Sequence, residues 1–162
     1  MGQDHLGDIH LLSEIAHPKA AIVTLIGEAH LEFFKDRKEI AKGKLQIADG
    51  MPAGGLLLVP ADPIVGDFLP SQQELVRFGE GADISITKLE ERKDSLTFEA
   101  NFLLDAIDLP VTGKYNATNA MIAAYVALKE GISEEAIRAS FKGLELTKNR
   151  TEWKKAGNGA DI

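Results

Sequence analysis

Two short apolar runs separated by an amphipathic segment constrain the fold of this 162-residue chain more than any other feature. The runs are residues 20–26 (AAIVTLI) and residues 56–59 (LLLV), and each is typical of a strand buried on both faces. Between them, residues 37–48 place apolar side chains at helical spacing, and a turn cluster follows at residues 50–55. A strand, a helix and a second strand in this order favour a parallel sheet with crossover helices. The predicted fold class is therefore α/β, with a mostly parallel sheet and flanking helices.

The second half of the chain has a different pattern. Short stretches of alternating polar and apolar residues occupy residues 75–78, 83–91 and 95–102, and polar turns such as Arg92-Lys93-Asp94 join them. This alternation predicts a small antiparallel hairpin sub-sheet beside the parallel sheet.

Several helices and a final strand are also predicted. Residues 7–16 form the first helix, and residues 117–130 form an Ala-rich helix. Ser133 caps another helix that runs to about Lys142. The tail from Thr151 is predicted as a strand, a turn and the start of another strand.

Composition excludes several classes of protein. Eighteen basic and 25 acidic residues give a net charge of −7, which disfavours binding to nucleic acid or to an anionic membrane surface. The chain has no cysteine, so neither disulfides nor thiolate chemistry is expected. Neither a membrane-spanning run nor a signal peptide is found in the sequence, so a cytoplasmic protein is expected.

His30 is the first candidate for chemistry. It follows the first predicted strand, with Glu28 and Glu32 on either side of it in the sequence. Ligands of open α/β sheets bind at the carboxyl ends of the strands. A neutral imidazole beside carboxylates at such a place suits a divalent cation or proton transfer. The alternative interpretation is a surface histidine in a loop.

Lys44 is the second candidate, because it lies inside the apolar stripe of the predicted helix 37–48. That stripe consists of Ile40, Ala41, Leu45, Ile47 and Ala48. A lysine directed toward a core must extend its amine to water, find a partner, or lose its charge. A neutral amine would be a nucleophile or a site of covalent modification. Extension to water is the alternative.

Three further positions are candidates for nucleotide binding. Asn116 and Asn119 share one face at the start of a helix, and their amides offer the donor and acceptor that an adenine edge requires. The alternative is that Asn116 is only a helix N-cap. Arg150 is suited to phosphate oxygens, or else it is a solvated loop residue. Asp62, just after residues 56–59, is a weaker candidate. A Gly-x-x-x-x-Gly-Lys-[Ser/Thr] phosphate loop does not occur in this sequence.

Four segments of the chain occur in the order and spacing of one protein family. They are residues 1–2 with 7–9 (MG and GDI), residues 26–32 (IGEAHLE), residues 40–44 (IAKGK) and residues 113–120 (GKYNATNA). On these segments the chain resembles the ATP-dependent Mur ligases over essentially its whole length. The similarity is greatest to the branch that joins D-alanyl-D-alanine to UDP-N-acetylmuramoyl-tripeptide in peptidoglycan precursor synthesis.

The resemblance implies roles for the candidate residues. His30 would be a magnesium ligand, and Lys44 would be the family's carbamylated lysine, whose carbamate helps to hold a second magnesium ion. Asn116 and Asn119 would line the adenine pocket, and Arg150 would approach the nucleotide phosphates. The implied reaction activates a substrate carboxylate as an acyl phosphate with ATP, and an incoming amine then displaces phosphate.

The resemblance also implies that residues 1–162 are a truncated central ATP-binding domain with a P-loop-NTPase-like fold. The family's P-loop, N-terminal domain and C-terminal domain are absent from this sequence, so the fragment alone is expected to be inactive. The parent protein is expected to be a monomer. Leu45-Gln46, Tyr115 and Pro60 depart from the family pattern. Two alternatives stay open, namely a ligase resembling folylpolyglutamate synthase and a noncatalytic α/β binding module.

Overall fold

The computed structural model describes residues 1–27 and 34–144 of the chain. The chain divides into two compact units, with the boundary after Ile86. Within the described ranges, none of the helices combines the length and the apolar character needed to cross a membrane.

The first unit is built on a parallel three-stranded sheet. Its strands are β1 (Ala20–Ile22), β2 (Leu56–Pro60) and β3 (Glu74–Phe78), in the order β1-β2-β3. Ala21 pairs with Leu57, and Leu57 pairs with Leu75. The central strand β2 is almost entirely buried because it has a neighbour on both edges and carries only apolar side chains before Pro60.

The first unit also contains two helices. Helix α1 is Asp8–Ala16, and helix α2 is Arg37–Leu45, which a 3-10 turn at Gln46–Ala48 continues. Asp36 begins α2, because its Oδ1 accepts a hydrogen bond of 2.9 Å from the backbone N–H of Glu39. The predicted apolar stripe is confirmed, with these members buried: Ile40, Ala41, Leu45 and Ala48.

The second unit contains an antiparallel sheet and two helices. Strands β4 (Ile86–Glu91), β5 (Leu96–Ala100) and β6 (Ile107–Leu109) are ordered β4-β5-β6, and β5 pairs antiparallel with β6. Helix α3 is Lys114–Lys129 and helix α4 is Glu134–Lys142. Ser133 caps α4 as predicted, since its Oγ accepts a hydrogen bond of 3.3 Å from the N–H of Ala136. The predicted fold class, a parallel α/β sheet with a small antiparallel sub-sheet, is confirmed.

Three strand predictions are wrong in detail. Residues 75–78 belong to β3, which pairs parallel with β2 instead of joining the antiparallel sub-sheet. In the described sheet β3 has one neighbour only, and its exposed Glu74 and Arg77 produce the alternation that suggested a hairpin.

The first strand is also shorter than residues 20–26 and is not buried on both faces, because Ile22 and Leu25 are exposed. Strand β6 was not predicted. The strand predicted from Thr151 lies outside the described residues.

Candidate functional site

A cavity of about 400 Å³ lies at the carboxyl end of β1 in the first unit. Its walls include residues 1–3, residues 22–25 and the side chains of Ile40, Lys44 and Ile47. Open parallel sheets bind their ligands at this end of the strands. The cavity is therefore the place in the first unit where the sequence-predicted chemistry is expected.

Lys44 reaches into this cavity from the buried side of α2. Its Nζ donates a hydrogen bond of 2.7 Å to the backbone carbonyl of Leu25, in the segment that leaves β1. Burial lowers the pKa of the Lys44 amine below its ordinary value. Two of the possibilities named for a lysine directed toward a core therefore apply to Lys44. Its amine has a hydrogen-bond partner, and desolvation makes its charged form less favourable.

Arg37 lies seven residues before Lys44, two helical turns away on the same face of α2. Its Nη2 donates a hydrogen bond of 3.0 Å to the carbonyl of Ile26 and contacts Oδ2 of Asp62 at 2.7 Å. The two basic side chains therefore hold the consecutive carbonyls of Leu25 and Ile26. Sequence analysis missed Arg37, although its seven-residue spacing from Lys44 was a usable signal.

Gln3 also contributes to the wall of the cavity, and the sequence analysis missed it as well. Its Nε2 is buried and has no hydrogen-bond partner. The amide lies directly against α2 at Gly43, where a Cβ atom would overlap it. The glycine before Lys44 is the one sequence feature that indicated a close contact at this point.

The two asparagines lie at the start of α3 in the second unit. Gly113, with a φ of 97°, is the N-cap, so Asn116 is the third residue of the helix and the cap interpretation is wrong. Asn116 Nδ2 donates a hydrogen bond of 2.6 Å to the carbonyl of Thr112, and Asn119 is exposed. This arrangement leaves the amide of Asn119 accessible. The assignment of both residues to adenine stays a prediction.

Glu91 holds the start of this helix, because its Oε1 accepts a hydrogen bond of 2.6 Å from the N–H of Gly113. The carboxylate replaces the side-chain cap that a glycine N-cap does not have. Ala120 and Ala124 are buried behind this first turn, whereas Ala123 is exposed.

The remaining candidates lie outside the described residues. These are His30 with its neighbours Glu28 and Glu32, and Arg150. Within residues 1–27 and 34–144, no three His, Cys, Asp or Glu side chains are grouped so that they would hold a metal ion. Lys44 presents an amine, whereas magnesium prefers oxygen ligands. The described residues alone therefore do not fit a magnesium ion.

Comparison with known proteins adds a family match. The family model for the Mur ligase middle domain matches residues 1–127. The UDP-N-acetylmuramoyl-tripeptide–D-alanyl-D-alanine ligase of Bacillus subtilis is 31% identical over 100% of this chain and 36% of its own length. The Escherichia coli enzyme of the same name is 29% identical over 93% of this chain and 35% of its own length. The chain thus spans about a third of these relatives.

Solved structures agree with the fold. A MurF structure from Acinetobacter baumannii superposes with a TM-score of 0.83 and 27% identity, over 97% of this chain and 36% of that protein. MurF of Thermotoga maritima in complex with ADP gives a TM-score of 0.78 at 22% identity. This match covers 94% of this chain and 36% of that protein. L. casei FPGS shares the fold, with a TM-score of 0.70 and 16% identity. This match covers 88% of this chain and 37% of that protein.

Proposed function

Because the chain belongs to the Mur ligase family, we propose that residues 1–162 are the central ATP-binding domain of a longer cytoplasmic bacterial ligase. This ligase would join D-alanyl-D-alanine to UDP-N-acetylmuramoyl-tripeptide in peptidoglycan precursor synthesis. The names of the B. subtilis and E. coli relatives support this choice of substrates. The chain covers 36% of the B. subtilis protein, so activity is proposed for the longer protein. The longer protein is expected to be monomeric, and the chain alone is expected to be inactive.

The observation that carries the proposal is the half-buried amine of Lys44 in the cavity at the end of β1. The lowered pKa of Lys44 increases the fraction of neutral amine near neutral pH, and only the neutral form attacks an electrophile. Its addition to the carbon of CO₂ forms an N–C bond, releases one proton to water and leaves a carbamate oxyanion. This chemistry supports Lys44 as the carbamylated lysine of the family.

The proposed reaction has two steps that exchange bonds at phosphorus and at carbon. A carboxylate oxygen of the tripeptide attacks the γ-phosphorus of ATP, ADP leaves, and an acyl phosphate forms. The amine of D-alanyl-D-alanine then attacks the acyl carbon, phosphate leaves and an amide bond results. Positioning and electrostatic stabilisation supply most of the rate in such transfers.

The residue roles in this proposal are those that the resemblance to the family implies. Asn116 and Asn119 would contact adenine, and Arg150 would contact the nucleotide phosphates. His30 and the Lys44 carbamate would be the magnesium ligands. When bound, magnesium would neutralise charge that develops on the transferred phosphoryl group.

Calorimetric titration of the chain with magnesium-ADP tests the nucleotide site. We expect saturable binding that Asn119→Ala weakens about tenfold, since about 1.4 kcal/mol corresponds to the loss of its amide contacts. Asn116→Ala is expected to act in the same direction. Thr118→Ala is the matched control on the same helix. The Oγ1 of Thr118 donates its hydrogen bond to the carbonyl of Lys114, within α3 itself. Failure of a folded chain to bind, or equal binding by all variants, would contradict the adenine assignment.

The two alternatives are separated by other measurements. FPGS shares the fold at 16% identity, whereas the D-alanyl-D-alanine ligase of B. subtilis is 31% identical, which favours the latter. A substrate panel on the longer protein distinguishes these two ligases. A phosphate loop encoded in frame upstream would remove the noncatalytic alternative. Steady ligation by the 162-residue chain alone would refute the proposal that it is an incomplete fragment.

A further inference from the structure

We propose that Arg37 is a positioning residue for the carbamylation of Lys44, and that it acts through the backbone carbonyl of Leu25. The inference deepens the proposed function, on which it rests, by naming a residue that orients the lysine for its modification. It is carried by three features of the first unit. These are two adjacent carbonyls held from one helix, a guanidinium fixed between the segments after two strands, and an uncharged acceptor for the lysine amine.

The first feature is the way in which the backbone after β1 is held. The N–H of Val23 still bonds to β2, at 2.9 Å. Further along, the partners are side chains of α2, because the carbonyl of Leu25 accepts from Lys44 Nζ at 2.7 Å and that of Ile26 from Arg37 Nη2 at 3.0 Å. Only the φ and ψ angles of Ile26 separate these two peptide planes. A donor that fixes the second carbonyl therefore restricts the direction of the first.

The second feature is the guanidinium of Arg37, which is itself held. The Nη2 that bonds to Ile26 also lies 2.7 Å from Oδ2 of Asp62, just after β2. Oδ1 of the same carboxylate accepts the N–H of Ile64 at 3.0 Å. A planar guanidinium is preorganised, so it loses little freedom for each hydrogen bond that it forms. Arg37 thus presents a fixed donor to the Ile26 carbonyl.

The third feature is the chemical nature of the partner of Lys44. The carbonyl of Leu25 is uncharged, and none of the described residues that line the cavity is a carboxylate. A carboxylate partner would favour the ammonium form, which has no lone pair for attack. A carbonyl accepts an N–H from an ammonium, an amine or a carbamate. Leu25 therefore holds Nζ at the cavity with less preference for the charged form than a carboxylate would have.

This hydrogen bond is compatible with the whole modification. The neutral amine has two N–H bonds and one lone pair, so one N–H stays with Leu25 while the lone pair attacks the carbon of CO₂. An N–C bond forms, a C–O π bond opens to the oxyanion, and the other proton leaves to water. The carbamate keeps one N–H for Leu25. Because the carbamate is planar like a peptide group, the direction of this N–H fixes the plane of its two oxygen atoms.

NMR of the 162-residue chain with ¹³C-bicarbonate measures the modification. The carbamate signal that Lys44→Met abolishes belongs to Lys44, and its titration gives the bicarbonate concentration at half occupancy. With ¹⁵N-lysine and ¹³C-leucine labels, we expect a scalar coupling across the hydrogen bond from Lys44 Nζ to the Leu25 carbonyl carbon. This coupling reports the contact itself, which a merely structural role of Arg37 would leave unchanged.

Arg37→Met removes the guanidinium and retains Lys44 and the Leu25 carbonyl. We expect half occupancy to need about fivefold more bicarbonate, as for the loss of one hydrogen bond, and the coupling to become weaker. Lys38→Met is the matched control, because it removes the same charge from the same helix at a side chain that contacts Asp67 at 3.3 Å. It is expected to leave the occupancy and the coupling unchanged.

A second variant tests the Leu25 carbonyl without altering Arg37. Replacement of Ile26 by its α-hydroxy acid turns the peptide bond after Leu25 into an ester, whose carbonyl is a weaker acceptor. A similar loss of carbamate occupancy is expected. The unfolding midpoint in urea is measured for every variant, so that occupancies are compared only between folded samples.

Unchanged occupancy in folded Arg37→Met would overturn the role of Arg37, and unchanged occupancy in the ester variant would overturn that of the Leu25 carbonyl. An equal loss in Lys38→Met would also overturn the inference, since charge alone would then be the cause. In these cases Lys44 would still be carbamylated, and the proposed function would stand. The absence of a Lys44 carbamate from the unsubstituted chain at saturating bicarbonate would instead contradict the proposed function. The failures of the two proposals are therefore distinguishable.

Discussion

Arg37 and Asp62 form an ion pair, with 2.7 Å between Nη2 and Oδ2, that joins the segments leaving two neighbouring strands. Asp62 follows β2, and the same Nη2 holds the carbonyl of Ile26 in the segment after β1. The backbone N–H of Ile64 and the guanidinium of Arg37 together lower the pKa of the Asp62 carboxyl. This contact therefore fixes the backbone next to the cavity, two helical turns from Lys44 on the same face of α2.

Replacement of Asp62 by asparagine is expected to lower the free energy of unfolding by about 0.5 to 1 kcal/mol at pH 7. Asparagine still accepts the N–H of Ile64, so the change isolates the charge. A lowered folded-state pKa stabilises the fold above the unfolded-state value and loses this effect as pH falls through the folded-state value. The difference between Asp62→Asn and the parent should therefore be full at neutral pH and shrink as the pH falls below the ordinary carboxyl pKa of about 3.9. Urea unfolding across this range measures it.

The matched control for this prediction is Asp67→Asn. Its partner is Lys38, at 3.3 Å, and both side chains are about two-thirds exposed. Such pairs add little to stability, so no measurable change is expected. A loss from Asp62→Asn that is independent of pH would show that the ion pair is not its cause.

Gly50 is a second position where a substitution is expected to change the stability of the fold. A Cβ atom at Gly50 would overlap the backbone carbonyl of Ser13, so α1 would have to move away from the turn after α2. Gly50→Ala should lower the free energy of unfolding by about 3 kcal/mol, in the range of core overpacking. Gly66→Ala, in open space, should be neutral or slightly stabilising. Equal unfolding midpoints for the two variants in urea would refute the close contact.

Local sequence patterns predicted much of this fold. The apolar stripe of α2 placed Lys44 on the buried side of the helix, and the structure confirms this position. Ser133 was identified as a cap because the interaction involves residues close in sequence. Both features depend on periodicity and capping, which nearby residues determine.

Features that depend on distant contacts were not predicted. The pairing of β3 with β2 depends on which strand is adjacent in the sheet, and alternation within residues 75–78 does not contain this information. The contact of Gln3 with Gly43 joins residues forty positions apart. Arg37 had a spacing signal, but its acceptors Ile26 and Asp62 become neighbours only after folding.

Ser13 is fully buried and links α1 to the turn that follows α2. Its Oγ accepts the N–H of Gly50 at 3.1 Å and donates toward the carbonyl of His10 at 2.8 Å. Ser13→Ala leaves a buried N–H unpaired, so the free energy of unfolding should fall by about 1 to 3 kcal/mol. Chemical denaturation measures it, with the exposed Ser140→Ala as a control that should not lose stability. Equal behaviour of the two variants would contradict the role of the Ser13 hydroxyl.

Glu91 should stabilise the start of α3, where Asn116 and Asn119 lie, because its carboxylate accepts the N–H of Gly113 near the positive end of the helix dipole. Glu91→Ala is expected to cost about 1 kcal/mol and to speed hydrogen exchange at the Gly113 amide. Glu130→Ala, at the opposite end of the same helix, removes a charge from the negative end and should not destabilise it. Hydrogen-exchange NMR compares the two, and unchanged protection of Gly113 in Glu91→Ala would show that the carboxylate does not hold this turn.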